Sequence, residues 1–240
     1  MLSTIGLTAK IQDKTVLDKI TVSFEKGKNY CILGKNWSGK SSLALTCMGH
    51  PAYQIVDGDI QIDGNSIKDL DAHQRAQQGI FVAFQNIPEI KWVKLFEFLR
   101  SIYSAKVGTQ QSFLQFKKII IPLLQELHID AEFLRRDLNV WFSGGEKRKI
   151  EVLQLKLLQP TYIFLDEVDS GLDVDAFKAV AQLIADNNTP DNTFIIITHY
   201  FSILDYVPID RVYVLEAGKV VREWWHEIAK QIQDTWFTSL

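Results

Sequence analysis

The chain has 240 residues, 47% of them hydrophobic and 23% charged, with a formal net charge of −3. These are the proportions of an ordinary globular chain, and the weak negative charge, with no arginine-rich stripe among aromatics, argues against nucleic-acid binding. No apolar run is long enough to span a bilayer, Met1 to Lys10 lacks a signal-peptide pattern, and Cys31 and Cys47 form no CxxC pair. The expectation is a cytoplasmic protein in a reducing compartment, with no direct membrane insertion.

Apolar runs at 3–11, 19–24 and 29–33 predict three successive strands, with Glu25-Lys26-Gly27-Lys28 as the turn between the last two. A glycine-bearing loop follows Leu33 and opens a helix from Lys40 to Met48, which Gly49 and Pro51 stop. Asp59 to Ile62 reads as a strand entering a tight turn at Asp63-Gly64, and Ile80 to Phe84 as a short buried strand. Between 91 and 158 the apolar residues recur with helical spacing (Leu95, Phe98, Leu99, Phe113, Ile120, Leu124), which predicts a helical insertion. Strand signals return at Tyr162 to Leu165, Phe194 to Thr198 and Arg211 to Leu215, one helix apart. That is the rhythm of a parallel sheet with crossovers. The tail from Trp224 to Leu240 reads as a surface helix. The reading is one α/β domain over 1–240, with core segments 1–90 and 159–240 and a helical subdomain at 91–158.

Three elements carry chemistry. Gly34-Lys35-Asn36-Trp37-Ser38-Gly39-Lys40-Ser41, continued by Ser42, satisfies GxxxxGK[ST] after an apolar strand and at a helix start. Backbone N–H groups there face phosphate oxygens and the helix dipole favours their charge. Lys40 would reach the β- and γ-phosphates, and the Ser41 hydroxyl would ligate Mg2+. Second, the apolar strand Tyr162 to Leu165 ends in Asp166-Glu167. Asp166 suits the magnesium shell, and Glu167 suits polarising an attacking water as general base. Third, Phe142-Ser143-Gly144-Gly145-Glu146 opens a helix that Pro160 closes off. Ser-Gly-Gly at a helix start accepts anions, although the same residues also read as a plain N-cap. The chain's own phosphate loop needs no second such site, so a second copy is expected to supply the other half.

In this order the motifs resemble those of ABC-type ATPases across nearly the whole chain. The resemblance implies a P-loop α/β core with an N-terminal antiparallel β subdomain and a helical insertion. It implies ATP and Mg2+ as ligands, and ATP-dependent self-dimerisation. Gln85 resembles the glutamine that senses magnesium and the attacking water, so it joins Ser41 and Asp166 at the metal and Lys40, Glu167 and His199 in catalysis. Ser143, Gly144, Gly145 and Glu146 resemble the signature that grips the γ-phosphate bound to the opposite subunit. Ser170-Gly171-Leu172-Asp173 resembles the D-loop, and His199 the switch histidine.

Stretches partly outside these motifs resemble SufC-type ATPases. They are Met48 to Pro51, Gly79 to Gln85 with Pro88-Glu89-Ile90, Ser143 to Gln154, Glu167 to Asp175, and Thr198-His199-Tyr200. This implies a role in iron–sulfur cluster assembly beside SufB-like and SufD-like scaffold subunits, with residues around 85–100 docking the partner. The competing expectation is the cytosolic ATPase subunit of an ABC membrane transporter.

Two departures stand out. The aromatic that often stacks on adenine is missing from Ile11 to Val16. The six tryptophans are Trp37, Trp92, Trp141, Trp224, Trp225 and Trp236, and the resemblance to ABC-type and SufC-type ATPases implies glycine at their positions. A gene that uses the codon UGA for glycine would give this pattern when translated by another table. The alternative is a diverged ATPase whose tryptophans are real.

Overall fold

The computed structural model describes residues 1–84, 87–166, 182, 184–199 and 206–225, the last of these by its backbone. Gln85, Glu167, the Ser170 to Asp173 stretch, Tyr200 and Trp236 lie outside the described residues. The chain divides into two units, Met1–Gln85 with Pro160–Leu240, and Asn86–Gln159.

In chain order the elements before the insertion are β1 (Leu2–Ile11), β2 (Lys14–Phe24), β3 (Tyr30–Leu33), α1 (Lys40–Met48), β4 (Gln54–Ile62), β5 (Asn65–Ser66), α2 (Ala72–Gln77) and β6 (Ile80–Ala83). The insertion holds β7 (Ile90–Lys94), α3 (Leu95–Val107), α4 (Phe113–Glu126), a 3-10 turn at Ala131–Arg135, β8 (Asp137–Leu138) and α5 (Gly144–Leu158). After it come β9 (Tyr162–Asp166), β10 (Thr193–Thr198), β11 (Arg211–Glu216) and β12 (Lys219–Trp225).

The first unit contains two sheets. An antiparallel sheet of order β2-β1-β4-β5 carries the N-terminal strands. A second sheet of order β12-β11-β3-β10-β9-β6 is parallel from β11 to β6, with β12 added antiparallel at one edge. Strands β3, β9 and β10 are buried along their whole length. That is why they read as continuous apolar runs rather than alternating ones. Leu7, Leu17, Phe24 and Ile60 of the first sheet share one core with Tyr30, Phe164, Ile195 and Tyr213 of the second. Phe24 sets its ring edge-on to Tyr30, Phe164 and Tyr213 with centroids 5.1, 5.9 and 6.0 Å away. Tyr213 keeps its hydroxyl satisfied on the Ser23 backbone, accepting from the N–H and donating to the carbonyl.

The second unit is built on α3, α4 and α5, whose Leu99, Phe116, Ile120, Leu124, Ile150 and Leu153 make a separate core. A two-stranded β7–β8 ribbon flanks it. Ser112 caps α4 reciprocally with Gln115, and Gly108 ends α3 in the left-handed region.

Three expectations need correction. The second strand begins at Lys14, five residues earlier than expected, because β1 and β2 form a hairpin. Residues 90–94 form a strand inside the helical region. The segment at Trp224 is not helical: β12 runs through Trp225, paired with Arg211 and Val212 of β11, and buries Trp224.

Candidate functional site

The loop from Gly34 to Gly39 is shaped by close packing. A Cβ on Gly34 would lie 2.3 Å from the Leu215 carbonyl oxygen and 2.5 Å from Ser38 Oγ, so only glycine fits. Gly39 is the N-cap of α1 at φ 104°, a conformation that side-chain-bearing residues rarely adopt. Ser38 N–H donates to the Lys35 carbonyl, and Gly218 N–H donates to the Ser38 carbonyl at 2.9 Å, which anchors the loop to the β11–β12 turn. Lys35, Asn36 and Trp37 form its exposed crest, while Ser41 and Ser42 are half-buried in the first turn of α1.

Gly39 offers no side-chain cap, and no acidic residue occupies the first turn of α1. The helix start therefore presents its N–H groups and dipole to an anion. Lys40 is buried, and its ammonium donates to the carbonyls of Gly34 at 2.9 Å and Lys35 at 3.1 Å. The cation is thus folded over its own loop. The Ser38 hydroxyl is buried with no hydrogen-bond partner among the described residues. A glycine cradle, an uncapped helix start, a buried ammonium and an unsatisfied hydroxyl together fit a polyphosphate.

Adjacent strands then bring distant residues to the same sheet edge. Strands β3, β10 and β9 are parallel neighbours, with Leu33 opposite Thr198 and Ile197 opposite Asp166. The loop after β3, His199 after β10, and Asp166 at the end of β9 all lie at the strands' carboxyl ends, where open α/β sheets bind ligands. Ser41 Oγ donates to Asp166 Oδ1 at 2.8 Å across 125 residues of sequence. One hydroxyl and one carboxylate are hard oxygen donors suited to Mg2+, which keeps most of its shell as water and phosphate oxygens. Among the described residues no group of three or more His, Cys, Asp or Glu could cage a metal. His199 is half-buried. Cys47, buried in α1, has its thiol pushed up to about 12 by desolvation and is inert.

One positioning residue escaped the sequence reading. Arg75 of α2 is buried, and its guanidinium donates to the carbonyls of Thr46 (2.8 Å), Cys47 (3.2 Å), Lys68 (2.6 Å) and Leu70 (2.8 Å). It satisfies carbonyls at the C-terminal end of α1 and so fixes the phosphate-loop helix from behind. An arginine in a short polar segment gives no sequence signal for this.

In the second unit Ser143 is the N-cap of α5. Its hydroxyl accepts from Glu146 N–H at 3.3 Å, and Ser143 N–H donates to Glu146 Oε2 at 2.7 Å. The Ser143 backbone N–H, and its side chain after it, hold the Glu146 carboxyl below its usual value. Ser143, Gly144 and Gly145 are exposed, and a Cβ on either glycine would meet nothing within 4 Å. The loop before the cap is fastened within its own unit. Asn139 Nδ2 donates to the Pro88 carbonyl at 3.0 Å, Lys147 pairs with Glu89 at 2.8 Å, and Lys94 pairs with Asp137 at 2.8 Å.

Residues 17–170 match the ABC transporter family. A Synechocystis protein described as a probable ATP-dependent transporter is 37% identical over 244 residues, covering 100% of this chain and 95% of its own length. The iron-sulfur cluster assembly protein SufC of Plasmodium falciparum is 34% identical over 231 residues, covering 95% of this chain and 67% of its own length. A dimeric ATP-binding cassette in a post-hydrolysis state, bound to ADP and Pi, superposes with a TM-score of 0.75 at 20% identity, covering 94% of this chain and 99% of its own. That likeness shows the fold, an α/β cassette with an antiparallel β subdomain. Sequence match and fold agree: the chain belongs to the ABC transporter family, and it is an ATP-hydrolysing enzyme.

Proposed function

We propose that this chain is the ATPase subunit of an iron–sulfur cluster assembly machine, working in the cytoplasm as an ATP-clamped pair on a SufB-like and SufD-like scaffold. The observation that carries the paired mechanism is the exposed Ser143-Gly144-Gly145 start of α5. Its glycines answer to no packing need among the described residues, yet each weakens the helix that it opens. A triphosphate held by a facing copy gives them a use.

In this reading the N–H groups at Gly34 to Gly39 and the Lys40 ammonium hold the phosphates, with Lys40 released from its loop carbonyls. Ser41, Asp166 and Gln85 would hold a Mg2+, which would supply positive charge to offset that of the phosphates. Glu167 takes the proton of the attacking water, and His199 steadies the γ-phosphate as it departs. Ser143, Gly144, Gly145 and Glu146 of the facing copy close the site, so hydrolysis requires two chains. Closure of the pair is the movement passed to the scaffold. The exposed Ile90 and Val93 on β7 offer the partner an apolar contact.

Support for the assembly role comes from the SufC-like stretches and the Plasmodium relative. The transporter description of the Synechocystis relative favours the second reading, a cytosolic subunit of an ABC membrane transporter. Affinity purification from the native cell separates the two, since a soluble SufB/SufD-like companion supports the first and an integral-membrane permease overturns it. The clamp has its own test. Glu167→Gln should run as a dimer with Mg-ATP and as a monomer without it, and a monomer at saturating Mg-ATP would exclude the clamp.

A further inference from the structure

Five tryptophans have a described backbone, and three of them lie in the left-handed region: Trp37 at φ 67°, Trp92 at φ 66° and Trp141 at φ 61°. A left-handed backbone crowds any Cβ against the next carbonyl, and for a bulky residue it is a true outlier. Such strain persists in folded proteins when the side chain gains something in return. These indoles gain little, being 98%, 91% and 90% exposed. The largest apolar side chain is thus placed in water on backbone that disfavours it, three times in one chain. Among the described residues seven other non-glycine residues have positive φ: Asp63, His128 and Asn139 are types that tolerate the region, while Gln12, Lys19, Gln159 and Ala217 share the steric cost without an exposed aromatic ring.

Trp224 supplies the contrast. It lies on the extended strand β12, is 8% exposed, and has the Arg222 guanidinium 5.9 Å from its ring centroid. That is an ordinary tryptophan environment, so the structure divides a set that the sequence treats alike.

We infer that the working form of this protein carries glycine at positions 37, 92 and 141, two of them in or beside its phosphate-binding turns. Position 37 is on the crest of the phosphate loop, two residues before the Gly39 cap. Position 141 is two residues before the Ser143 cap. Both turns bend through the left-handed region to aim a helix start, and glycine makes that bend without steric cost. Position 92 lies in the β7–β8 ribbon, where its N–H donates to Asp137 Oδ2 at 3.1 Å. That backbone bond survives removal of the side chain.

The direct test is peptide mass spectrometry of the protein purified from its native cell. Glycine masses at 37, 92 and 141 are expected, and tryptophan masses there would overturn the inference. The backbone argument is tested separately on the recombinant chain, with Trp37→Gly, Trp92→Gly, Trp141→Gly and Trp224→Gly made one at a time. Each of the first three should raise the folded-to-unfolded ratio about fivefold as the strain is relieved. Trp224→Gly should lower it by more than that, since a buried ring is lost. A lower ratio in the first three would show the indoles to be stabilising and overturn the argument. These readouts need no nucleotide. An inactive but stabilised glycine form would count against the residue roles proposed for the ATP site and leave this inference standing.

Discussion

At the start of α1 the glycines are hemmed in by their own chain, whereas at the start of α5 they face open space. Gly34 has the Leu215 carbonyl 2.3 Å from its would-be Cβ, and Gly39 has the Val16 carbonyl at 3.0 Å. Gly144 and Gly145 have no neighbour within 4 Å. The start of α1 has no side-chain cap whereas that of α5 is capped by Ser143; in the clamp proposed above the first is one half-site and the second serves a facing copy. Glycine enforced by internal packing belongs to the fold. Glycine without an internal reason is what the proposed clamp would use, since a facing nucleotide must come close.

The comparison breaks most sharply at Gly34. A Gly34→Ala methyl group overlaps the Leu215 backbone oxygen, on a strand where Leu215 pairs with Val220 of β12. We expect a loss of about 3 kcal/mol in unfolding free energy, together with loss of Mg-ATP binding in a titration. Gly144→Ala should separate the two properties. It adds a methyl group in open space and improves helix propensity, so stability should rise by about 0.5 kcal/mol. Hydrolysis should fall nonetheless, because the methyl group obstructs the facing nucleotide. If turnover is unchanged in Gly144→Ala, the outward-facing role of this helix start is wrong.

The phosphate loop and α1 were legible from sequence because their determinants are local. A buried apolar strand, a glycine turn and the stops at Gly49 and Pro51 lie within one short stretch, and α1 runs from Lys40 to Met48 as expected. The strands at 162–165 and 194–198 were legible for a related reason, since full burial in a parallel sheet leaves unbroken apolar runs, and the strand at 211–215 keeps a mostly apolar run though it is only partly buried. The β7 ribbon was not, because all five of its residues are exposed and leave no inward-facing pattern to read. The early start of β2 was hidden by a hairpin turn at Gln12-Asp13 that has no glycine and uses Gln12 at φ 53°. The Ser41–Asp166 bond could be anticipated from the rule that ligands gather at strand carboxyl ends, but its partners are joined only through the register of β3, β10 and β9. Arg75 could not be anticipated, because what it satisfies is backbone, and backbone carbonyls carry no residue signature.

Acid should act on the two helix starts unequally, and this is the smallest of the expected effects. The start of α1 has no acidic residue in its first turn, whereas the cap of α5 includes the Glu146 carboxylate. Ser143 N–H holds that group below its ordinary value of 4.5. Asp137, two residues before the Asn139 that bonds Pro88, is likewise held low, first by the Lys94 ammonium and then by Trp92 N–H. A carboxyl whose folded value is depressed contributes stability that is present above its unfolded pKa and lost as pH falls through the folded one. The cap of α5 should therefore weaken on acidification below about pH 4.5, with no counterpart at the start of α1. Glu146→Gln keeps an oxygen that can accept from Ser143 N–H but carries no charge. It should be less stable than the parent at neutral pH and equal to it in acid, when both are followed by denaturant unfolding across the range. A stability gap that stays constant with pH would mean that Glu146 serves α5 through its shape alone, and the two helix starts would then differ in packing but not in electrostatics.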